Sequence, residues 1–451
     1  MVQLCSIARP EYTSNHKDWA LIKDIEDIRN ARYMSLYSPP TTEQAKKFTE
    51  FIIETIKATE QRRRRRKAND ERAFQETVGR ITGDLLIGYE QEANQWSFHE
   101  MYPAAFSDLS VGYKLFRSTV ETLSNARLVV IAKGRNHKPM EFEEGVSTFY
   151  AGLATRFQPT PTLIDLASVY DISKGSYQDH FVTQLPRKVI EVRQSKKEGE
   201  GSGRKMKPKQ TKRFLEIEEQ LKSINEFTNT FTFEGMRFSG FRRLFNEGDR
   251  ADFDYNHGGR LYHADGQGYI GMSKEKRSQI KIDGESVVEI DINASYLTIM
   301  HGLKQQPLPN REDIYAIGDL PREVVKKWFA ISFGVKSFHR QWLKGNVKDL
   351  KENCPDYRTW MTSKVVEKAV LEYFPFMADW SLGDIGWSNL MFIESEIIIG
   401  TMLELMNDHK LPSLPVHDCI IVRKSDQELA MRILSEQFRI KTGLVPKLKV
   451  K

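Results

Sequence analysis

VVEIDINASYLTIMHG, residues 287–302, has the pattern of a buried β-strand that reaches an acidic residue and continues into a helix. Val287, Val288 and Ile290 are apolar, Asp291 follows them, and the bulky Tyr296 comes five positions later. A carboxylate at the tip of an apolar strand either caps the next helix or binds a positive group, because an unpaired buried charge is costly. The local pattern leaves both explanations of Asp291 open.

A second apolar run, LPSLPVHDCIIV (411–422), has apolar residues on both sides of His417 and Asp418. This pattern predicts a tight hairpin whose turn exposes one carboxylate. Two carboxylates buried near each other are costly unless cations lie between them. Two Mg²⁺ ions about 3.5–4 Å apart would remove that cost. Asp291 and Asp418 are therefore the predicted metal ligands, although each aspartate taken singly is also explained as a cap or turn residue.

The segment PREVVKKWFAISFGVKSFHRQW (321–342) predicts a helix with Pro321 in its first turn. Four residues at i, i+4, i+7 and i+11 share one face of this helix: Arg322, Lys326, Phe329 and Phe333. Two cations followed by aromatic rings suit a triphosphate with a base stacked beyond it. Lys327 points about 100° away, which favours Lys326 as the phosphate contact. A surface helix with basic residues outward and aromatic residues inward would give the same pattern.

Length and charge distribution predict the domain organisation. A chain of 451 residues exceeds what one hydrophobic core usually supports, so two or three domains are expected. Residues 196–213 carry eight basic and two acidic residues, an excess equal to the net charge of +6 for the whole chain. We predict a basic flexible linker at 195–213, between a mainly helical domain (1–194) and a second domain (214–451). Clustered positive charge suits a polyanion, and a solvated linker has the same composition.

The N-terminal domain contains a candidate nucleic-acid-binding element. DLSVGYKLFRSTVETLSNARLVVIAKG (108–134) predicts a helix, a short turn and a β-rich stretch. This order resembles the recognition helix and wing of a winged helix-turn-helix, here spanning about 105–135. A purely structural helix and hairpin would give the same order. The candidate phosphate contacts are Lys114, Arg117, Arg127, Lys133 and Arg135.

Composition also bears on the cellular compartment. No apolar run approaches the ~20 residues needed to span a bilayer, so no membrane partner is expected. MVQLCSIARPEYTSNHKDW has no apolar signal core, and Cys5, Cys354 and Cys419 have no metal-ligand spacing and form no disulfide framework. We expect a cytoplasmic protein, in a bacterial or phage-infected cell.

The order of strand-Asp, cationic helix and His-Asp hairpin resembles motifs A, B and C of the right-hand polymerases. It is most similar to the clan of family A DNA polymerases and single-subunit phage-type RNA polymerases. VHDCIIV matches the His-Asp motif C, and KKWFAISFGVKSFHRQ resembles the phage-type motif B. DYNHGGRLY (254–262) resembles an Arg-Gly-Arg-x-Tyr element upstream of motif A, with Arg260 and Tyr262 as the matches. FIESEIIIGTMLELM (392–406) resembles the helix before motif C, where family A often has Gln and this chain has Glu394.

The resemblance covers residues 240–424 and implies an α+β fold. Its parts would be an antiparallel palm sheet and helical fingers at about 303–390. It implies that Asp291, Asp418 and the Ile292 carbonyl hold two Mg²⁺ ions, for which Mn²⁺ substitutes. Lys326 would also protonate the departing pyrophosphate. The implied nucleotide contacts are Arg322, Lys326, Phe333 and Tyr296. The implied nucleic-acid contacts are Arg260, Tyr262, His417 and Glu394, besides Lys114 and Arg117 in the N-terminal domain.

Tyr296 bears on the choice of sugar. In the resembling motif A, the fifth residue after the aspartate lies under the sugar, and a bulky residue there excludes a 2′-hydroxyl. Tyr296 therefore indicates dNTPs, unless it simply packs in the core. The expected function is a template-directed DNA polymerase that acts on DNA template and primer, without a proofreading exonuclease, and replicates or primes a mobile element. The alternatives are an RNA polymerase or primase of the same fold, and a non-catalytic DNA-binding replication initiator.

Overall fold

The computed structural model describes residues 31–60, 64–91, 94–106, 109–134, 153–196, 203–264, 268–311, 313–334, 338–339, 341–382 and 385–451. Contacts divide the chain into two compact units, Met1–Gln184 and Leu185–Lys451. Among the described residues, the strands of these units form three sheets, and helices accompany all of them. The expected mixed α+β class is confirmed. No helix in the described ranges is both long enough and apolar enough to cross a membrane.

The first unit combines helices with a four-stranded sheet whose order is β1-β2-β4-β3. Its elements are β1 (Arg32–Tyr33), α1 (Glu43–Thr59), α2 (Ala68–Gln91), β2 (Ser97–His99), α3 (Tyr113–Asn125), β3 (Val129–Ala132), β4 (Thr155–Pro159), α4 (Pro161–Val169) and α5 (Tyr177–His180). Thr42 caps α1 and Thr160 caps α4, because each hydroxyl accepts a hydrogen bond from a backbone N–H of the first turn.

The predicted helix and β-stretch of the candidate winged helix are α3 and β3. Lys114 and Arg117 are exposed on α3, and Arg117 forms an ion pair with Glu121 at 2.9 Å. β3 pairs antiparallel with β4. The segment between these strands includes residues 135–152, which lie outside the described residues, and so does the candidate contact Arg135. The winged-helix assignment therefore stays a prediction.

The second unit contains the motif-bearing sequence. Its strands are β5 (Ile190–Arg193), β6 (Lys205–Met206), β7 (Phe233–Glu234), β8 (Phe241–Phe245), β9 (Gly258–His263), β10 (Lys281–Ile282), β11 (Glu285–Ile292), β12 (Leu414–Val416), β13 (Cys419–Arg423) and β14 (Leu448–Val450). Its helices are α6 (Lys212–Thr228), α7 (Lys274–Arg277), α8 (Ser295–Leu303), α9 (Arg322–Ser332), α10 (Lys344–Asn353), α11 (Ser363–Tyr373), α12 (Trp387–His409) and α13 (Gln427–Thr442).

The unit boundary lies earlier in the chain than the predicted linker 195–213. β5 pairs in parallel with β8 and antiparallel with β6, so residues 185–194 already belong to the second unit. β6 itself lies within the predicted linker, of which residues 197–202 are outside the described part. The physical reason is strand pairing over a long sequence distance, which a composition shift does not report.

The strand β11 organises the larger sheet, whose order is β12-β13-β11-β10-β7, with β14 also paired to β11. Alternation along β11 places Val288, Ile290 and Ile292 on one face, with Glu289 and Asp291 on the other. Ile290 and Ile292 are buried in the hydrophobic core of the unit. The helices α8 and α13 pack against α12, and α13 also contacts β11 and β13. Asp291 therefore lies on the face of β11 opposite to the one that carries the core residues Ile290 and Ile292.

Candidate functional site

Asp291 lies on β11, and Asp418 immediately precedes the neighbouring strand β13. β11 and β13 pair antiparallel with Asp291 opposite Cys419, and the Ile292 N–H donates to the Asp418 carbonyl at 3.2 Å. One ligand atom from each of Asp291, Asp418 and Cys419 lies within 4.8 Å of the other two. The two aspartates, 127 positions apart in the chain, therefore meet within the reach of a shared cation.

The hairpin predicted at 411–422 is confirmed and explains the position of Asp418. Val416 pairs with Cys419, which leaves His417 and Asp418 as a two-residue turn between β12 and β13. His417 adopts a left-handed conformation with φ 56°, as two-residue hairpin turns require at their first position. The turn holds the Asp418 side chain beside the end of β11.

Asp291 does not cap the helix that follows it. The strand-to-helix pattern is confirmed, since β11 ends at Ile292 and α8 begins at Ser295. The N-cap residue of α8 is Ala294, which has φ 50° and makes no side-chain capping bond. Of the two explanations that the sequence left open, helix capping is thus excluded. Instead, the Asp291 carboxylate forms an ion pair with Lys451.

The electrostatics of the pair favour bound cations. Burial raises the pKa of Asp418, and the Asp291 carboxylate raises it further. Two repelling carboxylates in a partly buried position are stabilised when a positive charge lies between them. Carboxylate oxygens are the ligands that Mg²⁺ prefers, so the residues present fit a divalent metal ion. Ile292 has a buried side chain, and the role of its carbonyl as a ligand stays a prediction.

Cys419 is a potential ligand that the sequence did not predict. The sequence spacing of the cysteines does not indicate this position, because strand register brings the Cys419 thiol to Asp291. Burial raises the pKa of this thiol, and the adjacent carboxylates of Asp418 and Asp291 raise it further. The thiol donates a weak hydrogen bond to Asp418 across 3.8 Å. A protonated thiol at this position leaves metal binding mainly to the two carboxylates.

Arg260 and Glu394 form a buried ion pair between β9 and α12. The Arg260 Nε donates to Glu394 Oε1 at 2.8 Å, and Glu394 is only 1% exposed. Burial raises the pKa of Glu394 to about 7 and the Asp418 carboxylate adds to this, although Arg260 acts in the opposite direction. The structure differs here from the implied nucleic-acid contact, because Glu394 is an interior counter-ion of Arg260. Burial disfavours the charged form of Arg260, but Glu394 outweighs it and raises the Arg260 pKa.

Gly258 and Gly259, which precede Arg260, allow β9 to reach this position. Both glycines have positive φ, 79° and 81°, which is unfavourable for a residue with a side chain. A Cβ on Gly258 would lie 2.4 Å from the Asn246 side-chain nitrogen. The GGR-x-Y sequence therefore has a local structural cause, since the two glycines let the backbone pass close to Asn246 before Arg260 enters the interior.

Tyr296 links this ion pair to the aromatic residues of α9. The Arg260 Nη2 donates to the Tyr296 hydroxyl at 3.3 Å, and the Tyr296 ring meets the Phe333 ring edge-to-face at 5.9 Å. Burial raises the pKa of Tyr296, and the carboxylates of Glu394 and Asp418 contribute in the same direction. Phe333 in turn stacks on Phe329 at 5.6 Å. Side-chain contacts thus connect Glu394 on α12, through Arg260 and Tyr296, to the aromatic residues of α9.

Tyr315 also contacts these aromatic residues, and the sequence did not indicate it. Its ring lies 5.7 Å from the Phe329 ring, and the Arg322 guanidinium lies 5.6 Å from the Tyr315 ring centroid. Burial raises the pKa of Tyr315 to about 12, Arg322 opposes the shift, and the Asp418 carboxylate adds to it. Tyr315 therefore joins Arg322 at the start of α9 to the buried rings at the other end of the helix, in a loop that no periodic pattern marks.

The exposure of the predicted shared face changes along α9. Arg322 and Lys326 are exposed, whereas Phe329 and Phe333 are only 1% and 3% exposed. Exposure changes along the helix because its C-terminal end packs against Tyr296 and Phe374, while its N-terminal end faces outward. The exposed basic residues and buried aromatic residues match the alternative explanation of this segment, a surface helix with basic residues outward and aromatic residues inward. Phe333 contacts protein side chains in this structure, and its stacking on a base stays a prediction.

The cations of α9 differ in their partners. Arg322 pairs with Asp313 at 2.5 Å and with Glu323 at 2.8 Å. Lys327 forms an ion pair with Asp349. Lys326 is exposed, and within the described part of the chain no ion pair is found for it. Lys326 is thus the more accessible of the two lysines for a ligand, which agrees with the helical-angle argument.

His417 and Tyr262 lie near the aspartates as a pair of rings. Their centroids are 6.1 Å apart, and the planes are inclined by 65°. Burial lowers the pKa of His417 to about 4, and the positive charges of Arg260 and Arg277 contribute. His417 is therefore neutral at physiological pH, and its buried Nδ1 has no hydrogen-bond partner among the described residues. Contacts of both residues with nucleic acid stay predictions.

No protein-family profile matches the sequence, and no curated protein matches it. Among the solved structures it resembles is the POL domain of Pol1 from M. smegmatis in complex with DNA primer-template and dNTP. The match has 18% sequence identity and a TM-score of 0.29, and it covers 43% of this chain and 45% of that one. The chain thus spans less than half of that structure, and a TM-score of this size does not establish a common fold.

Proposed function

We propose that this chain is a template-directed DNA polymerase that uses dNTPs and two divalent metal ions. The observation that carries the proposal is the proximity of Asp291, on β11, and Asp418, in the turn before β13, with ligand atoms within 4.8 Å. Burial and mutual repulsion make this pair costly in the absence of cations, which is a reason to expect metal ions there. The resemblance of motifs A, B and C supplies the reaction class.

Each part of the second unit then has a role in nucleotide transfer. Asp291 and Asp418 would hold the metal ions, which when bound lower the pKa of the attacking hydroxyl and stabilise charge on the departing pyrophosphate. Arg322 and Lys326 would bind the triphosphate, since both are exposed at the start of α9. Lys326 would donate a proton to the pyrophosphate. Tyr315 would hold the Arg322 guanidinium in place through its ring contact.

The experiment that tests the proposal is extension of a labelled primer on a DNA template by the full-length protein. Parallel reactions would contain dNTPs or NTPs with Mg²⁺ or Mn²⁺, and one set would omit the primer. We expect metal-dependent extension with dNTPs. Extension with NTPs alone would instead indicate an RNA polymerase or primase. Binding of duplex DNA without any extension, under either metal, would contradict the proposal and favour a non-catalytic initiator.

Tyr296 should determine the choice of sugar. We expect Tyr296→Ala to lower the discrimination between dNTPs and NTPs by at least about tenfold, because removing the ring opens space beside Arg260 and Phe333. The measurement is the ratio of kcat/KM values for single-nucleotide incorporation. Tyr296→Phe is the matched control, since it keeps the ring and removes only the hydroxyl. Equal discrimination in the wild type and Tyr296→Ala would show that Tyr296 is a packing residue.

Lys326 and Lys327 provide a matched pair for the phosphate contact. We expect Lys326→Ala to reduce kcat/KM for the incoming nucleotide by about 10- to 100-fold, the value of a charge-assisted hydrogen bond. Lys327→Ala should have a smaller effect, because this lysine is paired with Asp349. Steady-state incorporation kinetics with varied dNTP would measure both. A larger loss in Lys327→Ala would reverse the assignment.

A further inference from the structure

The strand β14 brings a lysine to the acidic face of β11. Ile290 pairs with Val450, and backbone hydrogen bonds of 3.3 Å and 2.9 Å join Glu289 and Lys451 in both directions. Lys451 is therefore directly opposite Glu289. Residues directly opposite in an antiparallel pair extend to the same face of a sheet. The Lys451 side chain thus lies on the face that carries Asp291.

The side-chain contacts of Lys451 single out Asp291. Its ammonium group forms an ion pair with Asp291 Oδ2 and lies 3.8 Å from Glu289 Oε1. Glu289 has a second cation, since Arg277 Nε donates to it at 2.9 Å. The Lys451 and Asp291 side chains are 24% and 19% exposed, so the contact is partly shielded from water. Without Lys451, Glu289 still has Arg277 as a counter-ion. For Asp291, no counter-ion other than Lys451 is found among the described contacts.

We infer that Lys451 is an internal counter-ion of the candidate metal site, which holds Asp291 in the metal-free protein and competes with divalent cations for its carboxylate. Lys451 acts on the metal ions of the proposed function, so the inference rests on that function. It assigns to Lys451 the control of metal affinity. The residue touches a metal ligand and has no assigned contact with the nucleotide.

Competition follows from the position of the ammonium group. A Mg²⁺ ion binds carboxylate oxygens at about 2.0–2.1 Å, and Lys451 already contacts one oxygen of Asp291. A metal ion bound there meets the repulsion of the ammonium group unless the lysine leaves. The flexible four-carbon stem of lysine allows that departure. Without either cation, Asp291 would have no counter-ion among its described contacts to offset its repulsion of Asp418.

The test is calorimetric titration of the full-length protein with Mn²⁺ in the absence of nucleotide. We expect Lys451→Met to bind Mn²⁺ about three- to tenfold more tightly than the wild type, where tenfold corresponds to about 1.4 kcal/mol. The same variant should have a lower Tm than the wild type without metal, and the difference should shrink at saturating Mn²⁺. Lys451→Arg should retain the wild-type affinity. Lys451→Gln is a second neutral variant with the same expected tightening, should Lys451→Met fold poorly.

Lys449 supplies the charge-matched control. It lies opposite Asp291 on β14, is exposed, and has no ion pair within the described part of the chain. Lys449→Met removes the same charge and should change Mn²⁺ affinity less than Lys451→Met does. Unchanged or weaker binding in both neutral Lys451 variants, or equal tightening in Lys449→Met, would overturn the inference. Wild-type protein whose Mn²⁺ binding is absent or unaffected by Asp418→Asn would instead overturn the proposed function.

Discussion

Asp418→Asn is expected to lower the rate of nucleotide incorporation by at least about 10³-fold while the protein remains folded. Metal ions stabilise the transferring phosphoryl group by several kcal/mol, and each 1.36 kcal/mol is a factor of ten in rate. The amide of asparagine is a poor ligand for a divalent ion and carries no charge. Single-turnover incorporation of one dNTP onto a primed template would measure the rate.

The stability of Asp418→Asn separates loss of chemistry from loss of structure. Removing one of two repelling, partly buried carboxylates should leave the metal-free Tm unchanged or raise it, because burial and Asp291 both disfavour the charge. Asp408→Asn, at an exposed position near the end of α12, is the control for a generic aspartate change. Near-wild-type activity in Asp418→Asn, or an equal loss in Asp408→Asn, would contradict a metal role for Asp418.

Arg260→Met is expected to lower the free energy of unfolding by about 3–5 kcal/mol. Removing one partner of a buried ion pair leaves the other charge without compensation, and Glu394 is only 1% exposed. The variant also loses the Arg260 hydrogen bond to Tyr296. Urea unfolding followed by tryptophan fluorescence would measure the change.

Two further variants show whether the loss arises from the ion pair. The double variant Arg260→Met/Glu394→Leu should recover most of the stability, because replacing a whole buried pair by apolar residues of similar volume is often neutral. Arg439→Met breaks an exposed pair with Glu436 on α13 and should change stability little. If Arg260→Met were as stable as Arg439→Met, the interior ion pair would contribute nothing to folding.

The local elements around the site were predictable because each is encoded by its own stretch of sequence. The apolar run before Asp291 predicts a strand, and the apolar residues around His417-Asp418 predict a tight hairpin. The structure contains both. The pairing of β11 with β13 was not predictable from periodicity. The sequence predicts only that the two aspartates lie close together, since two isolated acids in apolar segments need a shared counter-charge.

The features that sequence reasoning missed arise from strand register and three-dimensional packing. Cys419 reaches Asp291 only because the two residues are opposite each other in the sheet, and a shift of one position would place it on the other face. Lys451 reaches Asp291 through β14, in a tail that has no motif. The burial of Phe333 depends on Tyr296 and Phe329 around it, so the helical spacing of α9 places its four residues on one face without showing which of them are buried.

The most direct test of the account is a crystal structure of the full-length protein with primer-template, a non-hydrolysable dNTP analogue and Mn²⁺, using anomalous scattering to locate the metal. The account predicts anomalous peaks bridging carboxylate oxygens of Asp291 and Asp418, with Lys451 no longer in contact with Asp291. It also predicts the triphosphate beside Arg322 and Lys326. A bound nucleotide with no metal between the two aspartates, or with Mn²⁺ bound elsewhere, would contradict the central claim.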